Sequence, residues 1–264
     1  MLNIEAYADD TIMFCPSASG LRNLLSKFAI MAEDHDLEIN LGKTKVIVFH
    51  CGRIPYKDVN FYLNGIKIKL VPSYKYLGTF ISFNLKNNED IRRMQTSFNR
   101  KVGMFLRKFH AVELNVKLML LDSLCMDLYG ANLWWDKAGC KNLIHTLAVS
   151  YHFALKRIVG LPKRSSNHLV CYLLEKMTFD HLLNFQMLKL YRWLVDCSSS
   201  CFMPNKIYFL NSSMLKVKLD DIFLNVYGID DILDNDIDAI RSRIIFIQNR
   251  EEASWNVNDV SFIN

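Results

Sequence analysis

The sequence has 264 residues, of which 51% are hydrophobic and 22% are charged. These proportions are typical of globular domains and exclude a disordered chain or a coiled coil, and the length is sufficient for one large domain or two small ones. The basic residues (32) exceed the acidic residues (27), and the net charge of +5 is compatible with nucleic-acid binding without requiring it.

The first segment of the chain predicts a hairpin followed by a helix. Two short apolar runs, Ile4–Tyr7 and Thr11–Cys15, flank Ala8-Asp9-Asp10, which indicates two strands that meet at a tight turn. A helix capped by Ser17 or Ser19 is expected to follow and to end near His35. Its apolar positions recur at helical spacing: Leu21, Leu24, Leu25, Phe28 and Ala32.

Further strands are predicted before residue 85. One strand covers Lys45–Phe49, and a hairpin joins Val59–Leu63 to Ile66–Leu70 through Asn64-Gly65, a dipeptide that tolerates the positive φ angles of a two-residue turn. Tyr74–Phe83 is expected to form one more strand. The first third of the chain is therefore predicted to be a helix packed on a small, mostly antiparallel sheet.

From Asn87 onward the pattern of apolar residues becomes helical. The third of the predicted helices ends at Gly160-Leu161-Pro162, a typical helix stop. The predicted helices are Glu89–Phe109, Asn115–Tyr129, Leu143–Val159, Asn167–Glu175 and Phe179–Asp196. The segment Cys197–Cys201 is the best linker candidate, and the tail after it is mixed and acidic. We therefore expect an α+β chain divided at 1–85, 86–162 and 163–264.

The segment Tyr7-Ala8-Asp9-Asp10 is the strongest candidate for chemistry. Adjacent carboxylates repel each other, and a divalent cation makes such a pair favourable. Carboxylate oxygens suit Mg²⁺, which often bridges them to substrate phosphates. The alternative is a solvated turn, because aspartate favours turns.

Three motifs in order carry a resemblance to a known family. Tyr7-Ala8-Asp9-Asp10 resembles the Y-x-D-D motif of reverse transcriptases. The segment 36–45, with its Asn40-Leu41-Gly42-Lys43-Thr44 pattern, resembles the segment after the palm helix of non-LTR (LINE-type) retrotransposon enzymes. Tyr74–Thr79 resembles the Y-L-G strand pair beside the primer terminus. The resemblance covers about residues 3 to 83 and implies a partial polymerase palm at 1–85, a helical thumb-like domain at 86–162, and a helical extension with an acidic tail at 163–264.

The resemblance also implies roles for individual residues. Asp9 and Asp10 correspond to the ligands of catalytic Mg²⁺ or Mn²⁺, which in the family drive nucleotidyl transfer by two-metal catalysis. Lys43 corresponds to a catalytic lysine near the phosphates of the incoming dNTP; a surface lysine is the alternative. Residues expected to bind the nucleotide or primer are Tyr7, Lys43, Tyr76, Leu77 and Gly78; Tyr76 and Leu77 could equally be sheet core. The implied partners are an RNA template, a DNA primer and dNTP, and no protein partner is evident.

The family also uses a metal-binding aspartate and fingers upstream of its Y-x-D-D motif. Only six residues precede Tyr7. We therefore expect the C-terminal part of a reverse transcriptase, truncated in fact or by an incomplete gene, with weak Mg²⁺ binding and no polymerase activity. A chain that does not fold stably is a further hypothesis, because such a palm would expose an edge strand.

The predicted helix 89–109 supports nucleic-acid binding independently of the resemblance. Residues 86–108 include seven basic and two acidic residues, a net charge of +5. A basic stripe beside a packed face could follow a phosphate backbone. This stripe comprises Arg93, Arg100, Lys101, Arg107 and Lys108, and the apolar face comprises Ile91, Met94, Phe98, Val102, Phe105 and Phe109. The alternatives are a non-catalytic nucleic-acid-binding protein that uses this helix and a merely solvated amphipathic helix.

Other features indicate no site. Seven cysteines without a secretory leader indicate reduced thiols in an intracellular protein, nuclear or cytoplasmic, and no apolar run is long enough to span a membrane. Cys197-x3-Cys201 and His168-x2-Cys171 lack a second pair at zinc spacing. Asp234-x-Asp236-x-Asp238 lacks the later residues of a calcium loop. Trp134-Trp135 is more simply explained by interior packing than by stacking on bases.

Overall fold

The computed structural model describes residues 4–49, 59–126, 128–134, 140–197, 219, 221–229 and 236–259. The chain divides into two compact units, residues 1–90 and 91–264. Each unit is described separately below. The predicted division at 85 and 162 and the polymerase fold class stay predictions.

The first unit contains one helix and seven short strands among its described residues. The strands are β1 (Ile4–Tyr7), β2 (Asp10–Met13), β3 (Lys45–Val46), β4 (Phe61–Leu63), β5 (Ile66–Leu70), β6 (Ser73–Tyr76) and β7 (Thr79–Ser82), and the helix is α1 (Ala18–Asp34). They form three separate sheets, with the orders β1-β2, β3-β5-β4 and β6-β7. The prediction of one sheet was therefore wrong, because none of these sheets shares a hydrogen-bonded strand with another.

Local signals in the sequence set several boundaries as predicted. Ser17 caps α1, and its Oγ accepts a hydrogen bond from the Gly20 amide at 3.1 Å. Asn64 and Gly65 have φ angles of 51° and 74°, and they connect β4 to β5 in an antiparallel hairpin. The hairpin of β1 and β2 is also confirmed, although β2 begins at Asp10 and not at Thr11.

Two predictions about strands were wrong. Residues 74–83 form a hairpin and not one strand, because Leu77 and Gly78 have φ angles of 44° and 87° and reverse the chain. The strand predicted at 45–49 covers only Lys45–Val46. It pairs in parallel with the end of β5 and gains one more bond from the Val71 amide, and Pro72 then offers no amide to continue the ladder.

The core of the first unit lies between α1 and the sheet of β3, β5 and β4. Arg22 of α1 donates a hydrogen bond to the Asn60 carbonyl at 3.2 Å, and its guanidinium lies 5.5 Å from the centre of the Phe61 ring. Met13 of β2 packs against this core, which ties the first hairpin to it. The buried members are Leu25, Val46, Phe61, Leu63 and Ile68.

The second unit is helical in all of its described regular elements. The helices are α2 (Asn88–Lys108, which begins in the first unit), α3 (Leu114–Leu124), a 3₁₀ turn (Ala131–Trp134), α4 (Lys141–Val159), α5 (Asn167–Leu173), α6 (Phe179–Cys197), a π-helical turn (Asp221–Val226) and α7 (Ile237–Asp259). Gly160 has a φ of 79° and ends α4, as predicted.

Two of these helices are shorter than predicted. Helix α3 ends at Leu124, five residues before the predicted end at Tyr129. The Met126 amide donates a hydrogen bond to the Leu121 carbonyl and closes the helix there. In α5 the Lys176 amide bonds to the Cys171 carbonyl across Glu175, whose φ is 50°. Both closures depend on backbone bonds that apolar spacing does not show.

Two apolar cores lie along the second unit and share α6. The first joins α2, α3, α4 and α5 to the beginning of α6 around Trp134, Tyr151 and Phe179. The second joins α6 to the π-helical turn and α7 around Tyr191 and Phe223. No described helix is long and apolar enough to cross a bilayer.

Candidate catalytic hairpins and nucleic-acid interface

The first hairpin presents its polar residues to solvent. Tyr7 at the end of β1 pairs with Asp10 at the start of β2, so Ala8 and Asp9 form the two-residue turn between them. Ala8 has a φ of 54°, a left-handed conformation that a non-glycine residue seldom adopts. Both carboxylates are exposed, and the Tyr7 side chain is 68% exposed. This hairpin tip is therefore accessible to a ligand.

A tyrosine of the second hairpin interacts electrostatically with the first hairpin. Tyr76 is the last residue of β6, immediately before the Leu77-Gly78 turn. Partial burial raises the pKa of the Tyr76 phenol, and the negative charges of Asp10 and Glu5 raise it further. The phenol is therefore a neutral hydrogen-bond donor at physiological pH, within electrostatic reach of the first hairpin.

The lysine loop is held by the same strand. The Asn40 side chain accepts a hydrogen bond from the Lys43 amide at 3.0 Å, and its carbonyl accepts one from the Thr44 hydroxyl at 2.9 Å. The Tyr74 hydroxyl donates to the Lys43 carbonyl at 2.8 Å. Because the Lys43 side chain is exposed, its ammonium is available to a ligand while its backbone is fixed.

Strand β6 thus brings together the three motifs that the sequence singled out. Tyr74 and Tyr76 are two residues apart, so they lie on the same face of the strand. Tyr74 binds the Lys43 backbone, and Tyr76 interacts with Asp10. Sequence reasoning assigned no role to Tyr74 or to the Asn40 side chain, although both lie inside the quoted motifs.

The carboxylates at the tip of the first hairpin are few for a site that holds two metal ions. Among the described residues, no group of three or more histidine, cysteine, aspartate or glutamate side chains could hold a metal. Asp9 and Asp10 are adjacent carboxylates at an exposed turn, and Mg²⁺ held by one or two carboxylates needs water or substrate phosphates as its other ligands. The expectation of Mg²⁺ or Mn²⁺ therefore stays a prediction.

Asp90 is a structural carboxylate that the sequence did not reveal as such. It is fully buried in the first turn of α2, and its Oδ1 accepts a hydrogen bond from the Phe80 amide of β7 at 3.3 Å. A carboxylate at this end also interacts favourably with the helix dipole. Its position in a helical first turn was the available signal.

The basic helix has the predicted apolar face, and its cations differ in exposure. Ile91, Met94, Phe98, Val102 and Phe105 are buried and Phe109 is partly buried. Of the predicted basic stripe, Arg100, Arg107 and Lys108 are exposed, whereas Arg93 and Lys101 are partly buried. Three cations of the stripe are therefore exposed and accessible to a phosphate backbone.

Lys101 differs from the exposed cations of the stripe in its surroundings. Burial raises the pKa of the Cys125 thiol, and the positive charge of Lys101 partly offsets that rise. Cys125 belongs to the core beside α2, and Lys101, which is partly buried, acts on it electrostatically. Lys108 in contrast lies 5.6 Å from the Phe109 ring centre and stays exposed.

The features set aside in the sequence have structural roles where they are described. Trp134 is fully buried, as expected for interior packing, and Trp135 lies outside the described residues. Asp236 accepts hydrogen bonds from the Asp238 and Ala239 amides at 3.2 and 3.3 Å, so it caps α7. Cys201 and Asp234 lie outside the described residues.

Comparison with known proteins adds one relative. The chain is 28% identical over 173 residues to the "RNA-directed DNA polymerase from mobile element jockey" of Drosophila melanogaster. The predicted relationship to a reverse transcriptase is confirmed. The match covers 60% of this chain and 18% of the jockey polymerase. No family model matches the chain, and no solved structure matches it.

Proposed function

We propose that this chain supplies part of the nucleotidyl-transfer site of a mobile-element RNA-directed DNA polymerase, acting on an RNA template, a DNA primer and dNTP. The observation that carries the proposal is the meeting of the three motifs on β6, where Tyr74 holds the Lys43 loop and Tyr76 neighbours Asp10. The similarity to the jockey polymerase supports it.

Each residue has a task that its surroundings permit. The exposed Lys43 ammonium would offset the negative charge of the dNTP phosphates. The neutral Tyr76 phenol would donate a hydrogen bond to the primer, with Leu77 and Gly78 shaping the turn against it. Tyr7 would contact the primer from the first hairpin, and Asp9 with Asp10 would hold a divalent cation.

We further propose that this chain alone does not extend a primer. The described carboxylates at the hairpin tip do not make up the ligand set of two ions, so the site requires additional ligands. The 264-residue chain should incorporate no dNTP on a primed RNA template with either Mg²⁺ or Mn²⁺. Primer extension that depends on metal and disappears in Asp9→Asn would contradict this part of the proposal.

Hydrogen exchange tests whether the hairpins bind the primer and template. Adding an RNA–DNA hybrid to the full chain should slow amide exchange in β1-β2, in β6-β7 and in the Lys43 loop. The test variant is Tyr7→Ala, which removes an exposed side chain and should reduce that protection without unfolding the hairpin. Unchanged exchange in all three segments would refute the proposal.

A second candidate function is non-catalytic nucleic-acid binding through α2. The observation that favours it is the exposure of Arg100, Arg107 and Lys108 on a helix whose opposite face is buried. In the same exchange experiment, protection confined to α2 would favour this function over a polymerase site. The predicted salt dependence is developed in the Discussion.

A further inference from the structure

A groove in the second unit has no role in the site described above. It lies between α6 and the turn that leads into the 3₁₀ helix, and its volume is about 270 Å³. Four lining residues come from one face of α6, at spacings of three and four: Gln186, Lys189, Leu190 and Trp193. The opposite wall is formed by Leu128, Gly130 and Asn132. The groove is therefore a surface of the second unit alone.

Trp193 is unusual because its indole is 54% exposed. Tryptophan is normally highly buried in a folded chain, as the fully buried Trp134 illustrates. The neighbours Tyr191 and Leu194 on α6 are buried in or beside the second unit's cores, so the helix register directs Trp193 away from them. An exposed aromatic face at the wall of a groove can stack on a planar ligand.

The polar groups of the groove favour an anionic, hydrogen-bonding ligand. Lys189 is exposed, and its ammonium lies 4.8 Å from the centre of the Phe185 ring. Among the described residues that line the groove, this lysine is charged and none is acidic. Gln186 and Asn132 place side-chain amides at the groove, and an amide offers both hydrogen-bond donors and an acceptor.

We propose that this groove binds one nucleobase of a single-stranded nucleic acid. The base stacks on Trp193, the amides of Gln186 and Asn132 bond to its edge, and Lys189 contacts a flanking phosphate. Stacking on an aromatic side chain with a cation beside it is the general physical basis of single-strand binding. The proposal rests on the proposed function only for the nature of the ligand, because it adds a strand contact away from the two hairpins.

The test measures the affinity of the full chain for a fluorescently labelled 12-mer of uridine, by fluorescence anisotropy at a fixed salt concentration. Trp193→Ala should weaken binding about 5- to 150-fold, the range that loss of one stacked base implies. Trp193→Phe should recover most of the affinity, because a π face is restored. Phe246→Ala is the matched control, since it removes an aromatic side chain of α7 that is 53% exposed. It should bind as the wild type does.

A second oligonucleotide separates stacking from a general loss of structure. An abasic 12-mer keeps the phosphates but has no base to stack, so the wild type and Trp193→Ala should bind it equally. Equal affinity of the two proteins for the uridine 12-mer would overturn the proposal, as would an equal loss with both oligonucleotides. A wild-type chain that does not bind the uridine 12-mer would overturn it as well.

The same samples distinguish failure of this proposal from failure of the proposed function. If Trp193→Ala binds the uridine 12-mer normally while the hybrid still protects the hairpins, the groove assignment is wrong and the polymerase site stands. If binding depends on Trp193 while the hairpins exchange freely, the polymerase site is wrong and the groove assignment stands.

Discussion

Removing the exposed cations of α2 should change how nucleic-acid binding depends on salt. The variant is Arg100→Ala, Arg107→Ala and Lys108→Ala together. All three side chains are exposed, and alanine is the best helix former, so the helix should remain intact. The apolar face of α2 is untouched by these changes.

The size of the effect follows from the number of exposed cations. Each cation that neutralises a phosphate of a single strand contributes about 0.7 to the slope of log K against log salt, so three contribute about 2. Between 0.05 and 0.2 M salt, the wild-type affinity should therefore fall roughly 20-fold more than the affinity of the variant. The loss should not depend on the sequence of the oligonucleotide, since phosphates carry no sequence information.

The assay is fluorescence anisotropy with one labelled RNA at four salt concentrations. A control variant removes the same number of positive charges elsewhere in the second unit, through Arg157→Ala, Lys163→Ala and Arg164→Ala. All three side chains are exposed. A control that keeps the wild-type slope assigns the effect to α2. An unchanged slope in the α2 variant, or an equal decrease in both variants, would refute the reasoning.

Three further predictions concern single contacts. Tyr74→Phe removes the bond to the Lys43 carbonyl, so it should cost about 1 kcal/mol and speed exchange in the lysine loop, whereas Tyr62→Phe on β4 should change neither; equal effects would disprove the link. Asp236→Ala should lower stability to urea by about 1 kcal/mol through loss of the α7 cap, and a variant as stable as the wild type would show that the cap does not matter. Burial of the His152 imidazole lowers its pKa to about 4, so below pH 6.5 this side chain binds a proton in the unfolded chain but not in the folded one. The free energy of unfolding should therefore fall by about 2 kcal/mol from pH 8 to 5. The same fall in His152→Leu would contradict this explanation.

The sequence predicted those parts of the fold that depend on neighbouring residues. Three local signals each predicted a boundary: Ser17 before the helix, Asn64-Gly65 between two alternating runs, and Gly160 before Pro162. The structure follows all three. The apolar spacing of α2 was equally sufficient, because burial on a helix follows its own period.

The missed elements depend on features that local patterns do not encode. Leu77 adopts a positive φ although leucine normally disfavours it, so an apolar run looked like one continuous strand. The Tyr74 to Lys43 bond spans 31 positions, and the Asn40 side chain acts on an amide of its own loop. Periodicity carries no information about either contact, and the burial of Asp90 likewise becomes visible only when β7 is placed beside it.

The register of β6 is what couples the three motifs. Tyr74 pairs with Ile81 and Tyr76 pairs with Thr79 across the hairpin, so the Leu77-Gly78 turn fixes both tyrosines at once. A slip of one residue would move both side chains to the opposite face of the strand. The bond to the Lys43 loop and the interaction with Asp10 would then be lost together. The left-handed conformation of Leu77 belongs to the turn that sets this register, so both contacts depend on it.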